Sequence, residues 1–165
     1  MELNLLPILN FEGKKLQISE DVELSENSGD GFSINAPVKF EGVAVNVGGT
    51  VELCGNASAV IDVVCDRCVE SFEKTIEFPV DEKLKKEDEF SDSEQNPDII
   101  KFKGTTIDLS DIIYSNLYMN IPTKNLCSDD CKGLCPMCGT NLNHGSCSCD
   151  DDVTDPRFDI LDKLL

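Results

Sequence analysis

The chain has 165 residues, with 14 Lys plus Arg against 32 Asp plus Glu for a net charge of −18, and it carries nine cysteines, one histidine and no tryptophan. That length makes one ordinary domain, or one domain with a small appendage, and a hydrophobic content of 40% excludes a wholly disordered chain. Acidity on this scale excludes attachment to nucleic acid or anionic membrane by long-range attraction. An odd number of cysteines excludes complete intramolecular disulfide pairing.

Met1–Phe11 contains a Glu and a Pro but no Lys or Arg, which does not suit a secretory signal. No run approaches about 18 consecutive apolar residues, the length a membrane-spanning helix needs. The expected location is therefore the cytoplasm. Thiols stay reduced there, and closely spaced cysteines read as metal ligands or redox centres.

Residues 1 to about 80 read as strand. Apolar residues alternate at Leu3 and Leu5, Leu16 and Ile18, Phe32 and Ile34, Val38 and Phe40, and at Val43, Val45 and Val47. Gly48-Gly49 then turns the chain into Val51 and Leu53, a hairpin signal. Ala59 to Val64 and Phe72, Ile76 and Phe78 supply further strands. The expected fold class is α+β: mainly an antiparallel β-sheet or partly open barrel, with one or two helices and a C-terminal zinc-binding segment.

Between Asp81 and Asp98 stand eight acids and three lysines, which read as a solvated acidic loop. Ile99 to Phe102 reads as a strand returning to the sheet. From about 108 to 119, Leu109, Ile112, Ile113 and Leu117 share one helical face, with Asp108 or Ser110 as cap and Pro122 as terminator. These elements make a β-rich domain over residues 1–123. Residues 124–165 make a cysteine-rich segment, closed by a short helix that opens at Asp155-Pro156-Arg157 and has Ile160, Leu161, Leu164 and Leu165 on its apolar side.

Six cysteines crowd the second segment: Cys127, Cys131, Cys135, Cys138, Cys147 and Cys149. So little apolar material accompanies them that the segment needs a metal to become ordered. At the centre, Cys135-Pro136-Met137-Cys138-Gly139 is a zinc-knuckle pattern. Thiolates three positions apart face one ion across a tight turn, and the glycine lets the backbone fold beneath it. The second ligand pair comes from Cys147 and Cys149 or from Cys127 and Cys131. Either two of the six thiols are spare, or all six share a two-zinc cluster. Four thiolates close a zinc site, so it builds structure and leaves no position for hydrolytic water. His144 lies inside this stretch and reads as a loop residue beside the metal.

Cys65-Asp66-Arg67-Cys68 is a separate C-x-x-C pair at the end of a strand. It can be read as a second zinc half-site completed by another pair, as a contact feature of a hairpin turn at the surface, or as a redox pair. A redox pair usually opens a helix in a βαβ unit and has a lowered thiol pKa, whereas the all-β and acidic setting here predicts a raised one. Arg67 either contacts a partner or pairs with a nearby acid. Cys54 reads as an ordinary small buried residue.

Several motifs together resemble the YceD family. They are Cys65-x-Arg67-Cys68 followed by Phe72, Ile107-Asp108-Leu109 before a helix, Ile121-Pro122, the run from Cys131 to Asn143 (Cys-Lys-Gly-Leu-Cys-Pro-Met-Cys-Gly-Thr-Asn-Leu-Asn), Cys147-Ser148-Cys149 and Asp155-Pro156-Arg157. The resemblance runs from about Cys65 onward. It implies a non-enzymatic role in biogenesis of the large ribosomal subunit, in accumulation and processing of its RNA. Some members of that family lack the zinc segment and keep the Cys-x-Arg-Cys, which makes Cys65, Arg67 and Cys68 candidates for the shared functional core. The expected partner is a basic ribosomal protein or a pre-ribosomal large subunit, with ribosomal RNA reached indirectly. Two other classes compete: a thiol-disulfide oxidoreductase using Cys65 and Cys68, and a zinc-dependent nucleic-acid-binding module. The second of these lacks a basic patch, because residues 124–149 hold only Lys124 and Lys132 against Asp129 and Asp130.

Overall fold

The computed structural model describes residues 1–24, 28–29, 31–89 and 98–149. In chain order the elements are β1 (Glu2–Asn4), α1 (Leu6–Leu9), β2 (Lys15–Val22), β3 (Ser28–Gly29), β4 (Phe32–Ile34), β5 (Val38–Val47), β6 (Thr50–Val64), β7 (Ser71–Lys86), β8 (Ile99–Phe102), β9 (Thr106–Asp108) and α2 (Leu109–Asn120). Seven strands form one curled, half-barrel sheet. Across it lie β2, then β5 and β4 end to end along one edge of β6, then β6, β7 and β8. Every pairing is antiparallel except that of β7 with β8. β1 and β9 make a separate two-stranded ladder with Leu3 opposite Ile107.

The long strands follow from period-two burial. Along β6, Val51, Leu53, Ala57, Ala59, Ile61 and Val63 face the core, and along β7, Ile76, Phe78, Val80 and Leu84 do so. At the β5–β6 turn, Gly48 (φ 59°) and Gly49 (φ 87°) both take the positive φ that a two-residue hairpin of the favoured hand requires. That turn sets Val47 opposite Thr50 and Asn46 opposite Val51. The inward set of β5 is therefore Val38, Phe40, Ala44 and Asn46, while Val43 and Val45 are half-exposed and Val47 is exposed on the outer face. Their apolar alternation marks a real strand but not its buried side. Asn46 is buried because it is fully used: its Nδ2 donates to the carbonyls of Ile8 and Leu9, and its Oδ1 accepts from Gly49 N–H.

The acidic stretch is not a loop at its start. Asp81 to Lys86 complete β7, with Leu84 fully buried and Asp81 and Lys83 exposed on the opposite face. One solvated face accommodates the charges while the ladder with β6 and β8 continues beneath them. Residues 87–89 form a single 3-10 turn, and residues 90–97 of the expected acidic loop lie outside the described residues. Near the N-terminus, Leu5 caps a short helix with Pro7 in its first turn, where strand was expected; Leu5 and Ile8 are both fully buried.

α2 begins at Asp108, whose carboxylate accepts from Ser110 N–H at 2.9 Å and from the α-amino group of Met1 at 2.9 Å. These contacts, led by the one from the amino group, hold the Asp108 carboxyl below its usual range. The helix turns Leu109, Ile112, Ile113 and Leu117 into the same core as β6 and β7. Its far end leads through Ile121-Pro122 to the cysteine-rich segment. The expected helix after Asp155 lies outside the described residues, among which the other α-helix besides α2 is α1.

Candidate functional site

Eight of the nine cysteines fall into two groups of four: Cys65, Cys68, Cys127 and Cys131, and Cys135, Cys138, Cys147 and Cys149. Within each group all the sulfur atoms lie within 4.8 Å of one another, so each group can hold one metal ion. The six-thiolate cluster weighed from the sequence is not what the fold assembles. Cys127 and Cys131 turn away from the other four distal thiols and complete the pair from the sheet.

The first group starts where β6 ends. Residues 65–70 make the turn into β7, with Cys65 N–H donating to the Glu70 carbonyl (2.9 Å) and Val69 N–H donating to the Cys65 carbonyl (2.9 Å). The distal knuckle repeats this pattern. Cys135 N–H donates to the Thr140 carbonyl (2.8 Å), and Gly139 N–H donates to the Cys135 carbonyl (2.9 Å). The residue after the second cysteine is left-handed in both turns: Gly139 at φ 73° and Val69 at φ 61°. Val69 is the one described non-glycine residue with positive φ, held in a conformation that disfavours a β-branched side chain. The glycine that marks the distal turn in the sequence is thus absent from the proximal one, which hid the likeness between them.

The cysteine-rich segment is laid onto the first turn by a series of bonds. Asp66 N–H donates to the Asn125 carbonyl (2.9 Å), Asn125 N–H donates back to the Asp66 carboxylate (2.6 Å), and Lys74 Nζ reaches Asn125 Oδ1 (3.1 Å). Cys127 N–H points at Cys65 Sγ (3.4 Å). Leu134 N–H donates to the Arg67 carbonyl (3.0 Å). Gly133 (φ 76°) crosses so close that a Cβ there would sit 3.0 Å from that same carbonyl oxygen. Asn143 links the two groups, donating through Nδ2 to Cys131 Sγ (3.3 Å) and accepting Lys132 N–H at Oδ1 (2.8 Å).

The sequence reading of Cys65-Asp66-Arg67-Cys68 as a surface feature is corrected in part. Arg67 is exposed, but Cys65 and Cys68 are 1% and 3% exposed, because Cys131, Leu126 and Phe72 pack over them. Among the described residues no acid is paired with Arg67; its Nη1 donates to the Cys131 carbonyl at 2.9 Å. Cys54 is exposed on the outer face of β6, with its thiol 3.4 Å from Asp81 Oδ1, and burial followed by that carboxylate raises its pKa. His144 is no ligand of either group; its Nε2 lies 2.9 Å from Glu70 Oε1, so it joins the loop of the distal group to the proximal turn.

Local dipoles decide the thiol chemistry. Burial raises Cys65, but backbone N–H groups of Cys68, Cys127 and Arg67 outweigh it and bring the thiol down to about 6. The acidic surroundings do not prevail, contrary to expectation, because donors in direct contact act more strongly than screened carboxylates. Cys68 receives Glu70 N–H, yet burial and three neighbouring thiols push it up to about 12. In the distal group the Thr140 hydroxyl and N–H bring Cys138 down to about 6, whereas the neighbouring Cys138 thiol, followed by burial, drives Cys149 up to about 12. Crowded thiols resist ionising together, and a cation at the centre of each group removes that conflict.

Residues 53–165, from within β6 to the last residue, match the family model described as "Large ribosomal RNA subunit accumulation protein YceD". The chain belongs to the YceD family. The match takes in both cysteine groups, β7, α2 and the final segment, and leaves β1 to β5 outside it. Among curated proteins, the chain is 28% identical over 184 aligned residues to "Large ribosomal RNA subunit accumulation protein YCED homolog 1, chloroplastic" of Arabidopsis thaliana. That alignment covers 90% of this chain and 57% of the relative, so the chain spans little more than half of that protein's length. No solved structure matches. Membership in the YceD family supports a ribosome-related role, and no helix among the described residues is long and apolar enough to cross a membrane. Sequence reasoning allowed a second half-site at Cys65 and Cys68 completed by another pair, but did not identify Cys127 and Cys131 as that pair. A signal for it existed: the eight clustered cysteines are four close pairs, at 65/68, 127/131, 135/138 and 147/149, enough for two complete sites.

Proposed function

We propose that this protein is a non-enzymatic cytoplasmic factor that supports accumulation of large-subunit ribosomal RNA by binding a basic ribosomal protein or a pre-ribosomal large subunit. The observation that carries the reading is the family match over residues 53–165. The sign of the partner follows from the charge of −18. In its distal group the factor holds Zn2+ through Cys135, Cys138, Cys147 and Cys149, four soft thiolates that suit zinc and leave no open position for catalysis. A tetrathiolate zinc centre adds a formal charge of about −2, so metal loading does not relieve the acidity. Free RNA is repelled at long range, whereas a small basic protein is attracted and associates faster at low salt.

An oxidoreductase built on Cys65 and Cys68 is the weaker reading. The pair is buried beneath Cys131 and Leu126, it joins two strands and opens no helix, and a lowered thiol pKa serves a metal ligand as well as a redox centre.

The test is a pair of binding measurements over a salt series, one against protein-free large-subunit RNA and one against isolated basic ribosomal proteins, alongside low-salt capture of pre-ribosomal particles. The expected result is affinity for one basic protein or for the large-subunit particle, weakening as salt rises. Tight binding to bare RNA, with none to any basic ribosomal protein or particle, would overturn the reading.

A further inference from the structure

We infer that Cys65, Cys68, Cys127 and Cys131 hold a second zinc ion, and that this ion clasps the cysteine-rich segment to the end of the sheet. Four thiolates at about 2.3 Å from a tetrahedral zinc ion stand about 3.8 Å apart. The sulfur atoms of Cys65 and Cys131 are separated by 3.7 Å, and those of Cys68 and Cys127 by 3.6 Å. Disulfide sulfurs stand about 2.05 Å apart, so these spacings are those of ligands around an ion and not of bonded pairs. All four atoms lie within 4.8 Å of one another. The second observation is independent of the sulfurs: the turn carrying Cys65 and Cys68 has the same two backbone hydrogen bonds and the same left-handed residue as the distal knuckle. That arrangement is retained even though Val69 occupies the glycine's place.

The two centres differ in what they join. The distal four lie within residues 135–149 and order only their own loop. The proximal four join residues 65–68 to residues 127–131, so this centre forms only when β6 and β7 are already paired and α2 has brought the chain back. Arg67, reaching the Cys131 carbonyl, and Asn143, reaching Cys131 Sγ, brace the clasp from either side. It sets the position of the whole segment relative to the sheet, and it exists whether or not the partner is ribosomal.

The experiment counts metal on the full chain produced with zinc and kept reduced. Wild type should hold two zinc ions. Cys65→Ser with Cys68→Ser should hold one, as should Cys135→Ser with Cys138→Ser. Because the first variant removes buried side chains, wild type also undergoes thiol alkylation mapped by mass spectrometry, which does not depend on any variant folding. Cys65, Cys68, Cys127 and Cys131 should be protected as a set while zinc is bound and react together on chelation, with the exposed Cys54 reacting throughout. One zinc in wild type, falling to none when Cys135 and Cys138 are replaced, would overturn the clasp. So would alkylation of the proximal four in the loaded protein, or recovery of Cys65–Cys131 or Cys68–Cys127 disulfide peptides. None of these outcomes depends on ribosome binding, so this centre and the proposed partner fail separately.

Discussion

Gly55 offers a sharp test of how the sheet is assembled. It stands opposite Gly42 across the β5–β6 ladder, and the ring of Phe40, fully buried, lies over both. A methyl group at residue 55 would collide with the Glu41 carbonyl oxygen and would sit 2.7 Å from Gly42 Cα and 2.8 Å from Phe40 Cε2. Two of those atoms are backbone held by the ladder, and the ring is itself fully buried in the core. Overpacking of this kind costs about 1–3 kcal/mol, and backbone opposition places Gly55→Ala toward the upper end. The glycine's greater freedom in the unfolded chain offsets about 0.5–1 kcal/mol of that. The expected net loss is about 2 kcal/mol, or a fall in Tm of about 4–8 °C for a chain of this size. Metal content should not change, because both cysteine groups lie at and beyond the other end of β6. The measurement is thermal and urea unfolding of the zinc-loaded protein with metal counted in parallel. A Tm within about one degree of wild type, or above it, would show that β5 and β6 do not approach at this pair as described.

Arg67→Lys should lower stability by about 0.5–1.5 kcal/mol and quicken proteolysis between residues 122 and 131, because lysine does not reproduce the guanidinium contact to the Cys131 carbonyl. Unchanged unfolding and cleavage would return Arg67 to the role of a pure partner contact. Asp108→Ala should cost about 1 kcal/mol near neutral pH through loss of the α2 cap. Since the folded Asp108 pKa is depressed, its contribution is complete above about 4, the ordinary carboxylate range, and is lost as pH falls through the lower folded value. The wild-type and variant urea midpoints should therefore converge in acid, and a constant gap from about pH 7 to about pH 3 would contradict the assignment.

Much of the site was legible because its chemistry is local. Cys135-Pro136-Met137-Cys138-Gly139 states its turn and its ligands within five residues, and the glycine after the second cysteine supplies the left-handed corner found at φ 73°. Cys65 and Cys68 were less legible for the converse reason. Val69 stands where a glycine signal would be expected, and their partners Cys127 and Cys131 lie about sixty residues away. Asp81–Lys86 stays in the sheet because Leu84 is buried among the charges and the stretch is paired with β6 and β8.

The sequence by itself determined the class of fold, the β5–β6 hairpin, the helix after Asp108 and the close cysteine pairs able to hold a metal. Each of these rests on interactions between near neighbours: period-two or helical burial, glycine φ angles, a side-chain cap, and thiols a few residues apart. Only the tertiary structure decided which face of β5 is buried and which cysteines share a site. The hairpin register places Asn46 and Ala44, not Val45 and Val43, on the side of Val51 and Leu53. The sheet and α2 together bring Cys127 and Cys131 to Cys65 and Cys68, and not to the nearer Cys135 and Cys138. Spacing along a chain limits which residues can meet locally; which distant ones meet is settled when the whole core is buried at once.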